Sequence, residues 1–161
     1  MEDRFFRNAM GNFATGITAI TTKVNNEAHG MTANAFVSVS LNPKLVLVSI
    51  DNRAKMLEFI QESKEFAISL LSSDQKEVSM RFAGQIKEES LYDFEVFREM
   101  PVIKGALANI ICTVYKEVEA GDHTLFIGEV TDLKINEGDP LLFFQGKYRE
   151  LITNEQKIES I

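Results

Sequence analysis

Small and polar residues between His29 and Leu41 form the clearest chemical signal in the sequence. The segment reads HGMTANA and continues into an alternating run, FVSVSL. Residues without long side chains let backbone groups approach a flat ligand closely, and Thr32 and Asn34 add side-chain donors and acceptors. The segment predicts a binding site for a planar ligand, with a hydrophilic turn before a strand as the alternative.

A basic pair lies further along the chain, in the segment from Asp51 to Lys55 that follows an apolar strand and opens a helix. Free N–H groups and the dipole at a helix start favour an anion. Arg53 and Lys55 supply positive charge in a chain whose net charge is −7. The segment is consistent with a phosphate site and equally with a solvent-facing basic pair.

Two further positions could contact a planar ligand. Phe82 offers an aromatic face beside the short residues Ala83 and Gly84, although a core position explains it as well. His123 follows Gly121-Asp122 at the start of a strand. Its imidazole could position a substrate ring, and the alternative is a structural or exposed turn residue.

The composition excludes several classes of site. Two histidines and one cysteine give no zinc-ligand spacing, and no nucleophile-elbow, phosphate-loop or dinucleotide-fold glycine motif occurs. The negative charge and the lack of a basic stripe argue against a nucleic-acid partner. No apolar run reaches the length of a membrane span. The N-terminus lacks signal-peptide features and Cys112 is alone, so we expect a soluble cytoplasmic protein with one domain over 1–161.

The elements that must hold these residues are mostly strands. Many strands and three short helices predict an antiparallel barrel. Ser72 and Gln75 have capping-box spacing, Gly84 suits a helix stop, and the apolar run Leu45–Ile50 predicts a strand covered on both faces. The segment Gln85–Met100 is read as a loop. The predicted helices are Asp3–Phe13, Ala54–Gln61 and Gln75–Ala83, and the predicted strands are Ile17–Val24, Leu45–Ile50, Phe66–Leu71, Ile110–Val118, His123–Ile135, Leu141–Phe144 and Tyr148–Ile152.

Five segments, taken in order, resemble the short-chain flavin reductases, and more narrowly the reductase component of two-component phenol and 4-hydroxyphenylacetate 3-monooxygenases. The resemblance runs from about Arg4 to Leu151. The segments are FRNAMGNFATGIT (Phe6–Thr18), HGMTANAFVSVS (His29–Ser40), LVLV (Leu45–Val48), FAG (Phe82–Gly84) and AGDHTLFIGEV (Ala120–Val130).

The resemblance implies a mainly β fold: a split β-barrel with Greek-key antiparallel strands and a few short helices. It also implies a homodimer, FAD or FMN as flavin, and NADH as hydride donor, with a separate aromatic monooxygenase component receiving reduced flavin. Position 35 is Ala where many relatives have Ser, which removes one hydrogen bond to flavin. The implied flavin-binding residues are Thr32, Ala33, Asn34, Ala35, Ser40, Ser49, Ile50, Arg53, Lys55, Phe82 and Gly84, and the implied nicotinamide-binding residues are His123 and Tyr148.

Hydride transfer from nicotinamide to flavin needs stacking geometry rather than a strong acid or base, so no catalytic side chain is expected. Two alternatives stay open. One is a flavin-binding barrel without NADH turnover, acting as a sensor or carrier. The other is an unliganded barrel whose small residues serve packing alone.

Overall fold

Antiparallel strands make up most of the fold, as predicted. The computed structural model of the chain describes residues 1–87 and 91–152. The helices are α1 (Asp3–Met10), α2 (Lys55–Ser63) and α3 (Lys76–Phe82), and a 3₁₀ turn (Ser73–Gln75) precedes α3. The strands are β1 (Thr15–Gly16), β2 (Thr18–Val24), β3 (Glu27–Ala33), β4 (Phe36–Leu41), β5 (Lys44–Asp51), β6 (Glu65–Leu70), β7 (Glu95–Phe97), β8 (Met100–Val102), β9 (Ala108–Ala120), β10 (His123–Ile135), β11 (Leu142–Phe144) and β12 (Lys147–Arg149).

Seven strands form the main sheet in the order β3-β2-β6-β9-β10-β5-β4, and every pairing is antiparallel. The non-sequential neighbours give the predicted Greek-key connectivity. β3 and β4 are consecutive in the chain, yet they occupy opposite edges of the sheet. Because only Asn34 and Ala35 join them, the sheet must curl until its two edges meet, which produces the barrel.

The barrel interior is packed with side chains from β2, β5, β6 and β10. Ile20, Ile50, Phe66 and Phe126 are completely buried there. Burying each such side chain stabilises the fold by roughly 1.5–3 kcal/mol. This packing fixes the strand ends that carry the predicted site residues.

The structure corrects several predicted boundaries. α1 ends at Met10 rather than Phe13, because Gly11 and Asn12 are weak helix formers. The last strand is β12, shorter than Tyr148–Ile152. The predicted loop Gln85–Met100 contains β7 and the start of β8; its residues 88–90, like the end of the predicted domain at 153–161, lie outside the described residues. The hairpin turn at Arg98 and Glu99 has positive φ at both residues, a turn that sequence normally signals with Asn or Gly.

Among the described residues, the strand β5 is fully covered on one face only, whereas the prediction had both faces covered. Val46, Val48 and Ile50 are buried, whereas Leu45 and Leu47 on the other face are half-buried. The run is apolar on both faces, but the described residues leave its outer face only partly covered. In the described part of the chain, no helix combines the length and apolar character needed to cross a bilayer.

Candidate functional site

The predicted ligand segment forms the end of β3 and its link to β4. The Ala33 carbonyl accepts a hydrogen bond of 2.7 Å from the Thr18 hydroxyl. The Ala35 carbonyl accepts one of 3.2 Å from the Ser49 N–H on β5. The link is therefore held from both neighbouring strands, while Asn34 and Ala35 stay exposed.

Two cavities border this link, and both are lined by Ile17 and Asn34. The larger one, which we call the apolar cavity, has a volume of about 540 Å³, within the range of small-molecule sites. The smaller one, the Tyr148 cavity, measures about 160 Å³ and is lined by Thr32, Ala33, Ser79 and Tyr148 among others. Apolar walls with a small-residue rim suit a planar ring. The walls of the apolar cavity include Phe13, Ile17, Phe36, Leu70, Leu107 and Leu141.

Ser79 joins the predicted residues Thr32 and Tyr148, and it was not itself predicted from the sequence. Its backbone carbonyl accepts a hydrogen bond of 2.6 Å from the Thr32 hydroxyl. Its own hydroxyl lies 2.9 Å from the Tyr148 hydroxyl. Ser79 is 1% exposed. The available signal was its position four residues after Gln75 in the predicted helix Gln75–Ala83, a spacing that puts two polar side chains on one helix face.

Tyr148 lines the same cavity as Thr32, Ala33 and Asn34. Its ring packs edge-on against Phe143, with 5.5 Å between ring centroids. The Lys76 ammonium lies 5.3 Å from the Tyr148 ring centroid. The ring is therefore fixed by its hydroxyl, its edge and its face.

Phe82 packs against Gly30 instead of entering the Tyr148 cavity. A Cβ atom at Gly30 would lie 2.6 Å from Phe82 Cε1, so the small residue at this point of the HGMTANA segment admits a phenyl ring rather than a ligand. Phe82 borders a separate cavity, and Ala83 takes its place in the Tyr148 cavity. Gly84 is exposed and its positive φ of 72° follows the end of α3, as a helix stop requires.

The two basic residues at the start of α2, Arg53 and Lys55, have different surroundings. The Arg53 guanidinium makes two hydrogen bonds to the Asp51 carboxylate, Nε to Oδ1 at 3.0 Å and Nη2 to Oδ2 at 2.6 Å. These bonds hold the pKa of Asp51 well below its usual range. Lys55 is the first residue of α2, where Ala54 provides no side-chain cap, so first-turn N–H groups remain open to an anion.

His123 lies beside this turn, not beside Tyr148. Its Nδ1 is 2.8 Å from Asp122 Oδ1, and in the sheet it is paired with Asp51 on β5. Within one chain the two predicted nicotinamide residues therefore belong to different groups.

Two predicted flavin-binding side chains lie apart from the others. Ser40 is paired with Leu45, six residues along β5 from Asp51, which corresponds to about 20 Å. Ile50 is completely buried in the barrel core, so its side chain cannot contact a ligand. Ser40 was included because it lies in the alternating part of the motif. Ile50 ends a strand that is apolar on both faces, so the sequence did not show which side chains point into the core.

Other reactive groups give no competing site in the described part of the chain. No cluster of three or more His, Cys, Asp or Glu side chains is arranged to hold a metal ion there. Cys112 is completely buried, and burial raises the pKa of its thiol to about 12. A thiol in that state is inert.

Comparison with known proteins agrees with the resemblance. A family model described as a flavin reductase like domain matches residues 10–151. The chain is 47% identical over 148 residues to an NADH-dependent flavin reductase of a Rhodococcus species, covering 90% of this chain and 84% of that protein. It is 38% identical over 148 residues to the reductase component of 4-hydroxyphenylacetate 3-monooxygenase of Thermus thermophilus, covering 91% and 95%.

A solved structure has the same fold. The flavin reductase PheA2 in its native state superposes with a TM-score of 0.92 and 65% sequence identity, covering 95% of this chain and 100% of that one. The predicted fold, a mainly β split barrel with a few short helices, is confirmed. The chain belongs to the flavin reductase like domain family.

Proposed function

We propose that this protein is an NADH-dependent flavin reductase, which reduces FAD or FMN by hydride transfer and supplies the reduced flavin to a separate aromatic monooxygenase component. The observation that carries the proposal is the pair of cavities meeting at Asn34, with Thr32 and Tyr148 both bonded to Ser79. Its relatives of known activity support the same assignment.

The residues present fit a flavin. The apolar cavity takes the ring, and the exposed link at Asn34 and Ala35 offers polar groups at its rim. From this link Ser49 leads along β5 to the turn that carries Arg53 and Lys55, which would hold the phosphate end. This path is two residues of strand, or about 7 Å, from Ser49 to Asp51.

Bound flavin supplies the hydride acceptor, and the protein contributes geometry. Neither cavity has a carboxylate, lysine or histidine among its described lining residues. The fixed ring of Tyr148 and the small residues Ala33 and Ala83 would form the walls against which the nicotinamide stacks on the flavin. Holding two rings in contact is the main requirement of the reaction.

We further propose that the protein is a homodimer. The outer face of the sheet carries an apolar row, Val37, Leu47 and Ile127, which are neighbours across β4, β5 and β10. No residue of α1 is buried, although Phe5 and Phe6 lie on it. A second copy would cover these surfaces. It would also allow His123 of one copy and Tyr148 of the other to serve the same site.

The same proposal treats 1–161 as one flavin reductase domain and assigns it to the cytoplasm, where NADH is available. The partner is a flavin-using oxygenase, as the name of the Thermus relative indicates for that protein. The aromatic substrate binds to that oxygenase, so this chain needs no binding site for it.

Anaerobic mixing with NADH and either FAD or FMN tests the proposal. We expect NADH absorbance and oxidised-flavin absorbance to fall together, with equal molar amounts of NADH and flavin consumed. Flavin binding without NADH oxidation would show a sensor or carrier instead. No flavin binding would leave an unliganded barrel.

A further inference from the structure

The guanidinium assigned to the flavin phosphate is already held by a carboxylate. Arg53 contacts both oxygens of Asp51, and its backbone N–H donates a third hydrogen bond, of 2.8 Å, to Asp51 Oδ1. Asp51 is the last residue of β5 and is fixed by pairing with His123. The carboxylate is thus anchored in the sheet, whereas the Arg53 side chain is 88% exposed.

The charges around this turn nearly cancel. Asp51 and Asp122 both lie close enough to Arg53 to raise its pKa, and Lys55 is the other cation of the turn. These two carboxylates offset the two cations, so the turn has little net positive charge to offer. A phosphate arriving at Arg53 must displace the Asp51 carboxylate or share the guanidinium with it, and the two anions repel each other.

We infer that Asp51 limits flavin affinity by competing with the flavin phosphate for Arg53. The inference rests on the proposed function, since it takes Arg53 as a phosphate ligand. Weaker binding suits a reductase whose reduced flavin must leave for another protein. Asp51 sets affinity only and contacts no reacting atom.

The expected size follows from the exposure of the Arg53 side chain. Ion pairs between exposed side chains are weak, and releasing Arg53 from one corresponds to about a two- to fivefold change in a dissociation constant. The two-point geometry and the anchored carboxylate favour the upper part of this range.

Asp51→Asn provides the test. The amide oxygen can still accept the Arg53 N–H, so the turn is preserved while the charge is lost. In fluorescence titrations we expect about two- to fivefold tighter binding of FMN and FAD and unchanged binding of riboflavin, which has no phosphate. Asp139→Asn is the matched control, because it removes the same charge from an exposed turn and should change nothing.

Arg53→Ala separates this inference from the proposed function. If Arg53→Ala weakens FMN but Asp51→Asn does not tighten it, the competition is disproved and the phosphate site stands. If Arg53→Ala leaves FMN binding unchanged, Arg53 is not a phosphate ligand and the inference fails, whatever the NADH oxidation assay shows. In the double variant the effect of Asp51→Asn should disappear.

A measurement on the unaltered protein covers the case in which Asp51→Asn does not fold. The Arg53 Nε–H resonance should shift on adding FMN, as the side chain leaves Asp51, and should stay in place on adding riboflavin. An Arg53 Nε–H resonance that does not shift on adding FMN would overturn the inference.

Discussion

The hydrogen bond between Ser79 and Tyr148 is the most specific contact at the site. Ser79→Ala should leave the Tyr148 hydroxyl without its partner, cost about 1 kcal/mol of stability and loosen the ring. We expect a higher KM for NADH with unchanged flavin affinity, measured by steady-state kinetics and flavin titration.

A double-mutant cycle checks that contact. Ser79→Ala and Tyr148→Phe remove the same bond, so their combined effect on KM should be smaller than the sum. Ser73→Ala, at an exposed position of the preceding 3₁₀ turn, is the control. Additive effects would mean that the hydroxyls act separately.

Substitution of His123 tests whether the turn beside Arg53 contacts the nicotinamide. His123→Ala should slow flavin reduction by NADH about tenfold, equivalent to about 1.4 kcal/mol, with dithionite reduction unaffected. Stopped-flow absorbance measures both rates. A wild-type rate with NADH would make His123 a structural residue of the turn.

The buried thiol of Cys112 predicts a pH dependence. Its pKa is raised by burial from 9.0 to about 12, so the stabilising contribution of the neutral thiol is complete below pH 9 and is lost as pH rises towards 12. The native protein should resist alkylation at pH 8, and denaturant should expose one reactive thiol. Mass spectrometry after iodoacetamide treatment measures this, and rapid labelling of native protein would contradict it.

At the scale of elements, the approach of β10 to the barrel core depends on Gly128. A Cβ there would lie 2.6 Å from Phe66 Cζ and 2.8 Å from Cys112 Cβ, and both neighbours are completely buried. Gly128→Ala should therefore destabilise the protein by about 1–3 kcal/mol in urea unfolding.

Gly16→Ala is the matched control, since nothing lies within 4 Å of a Cβ at that position. Its effect should stay within about 0.5 kcal/mol. Equal losses for both variants would show that the cost comes from the backbone rather than from crowding.

Helices and strands could be predicted where hydrophobic periodicity and capping or turn residues occur together. The reciprocal bond from the Ser72 N–H to Gln75 Oε1, at 3.1 Å, confirms the capping box read from their spacing. The hairpin of β7 and β8 was missed, because three-residue strands show no period and its turn residues are atypical. Ser79 was missed for a different reason: its partners Thr32 and Tyr148 are distant in sequence and meet it only through packing.

At the scale of the whole molecule, the outer face of β4 should mediate dimer formation. Val37 belongs to the apolar row with Leu47 and Ile127 and is 55% exposed. Val37→Lys should give a protein with half the native mass in solution, because a charged group cannot be buried unpaired in an apolar interface. Light scattering after gel filtration measures the mass.

Val96→Lys, on the hairpin of β7 and β8, introduces the same charge at another exposed apolar position and should leave the mass unchanged. An unaltered protein with the mass of one chain would contradict the dimer directly.

The position of the site at the meeting of β3 and β4 has a consequence for local stability. No ladder joins these two edges among the described strands, so we expect the barrel wall to open more readily there than within the sheet, without unfolding of the core. A ligand seated on Asn34 and Ala35 would bridge that seam and suppress its opening. Part of the binding energy would then be used to close the wall. Ligand affinity would therefore depend on the opening equilibrium between β3 and β4.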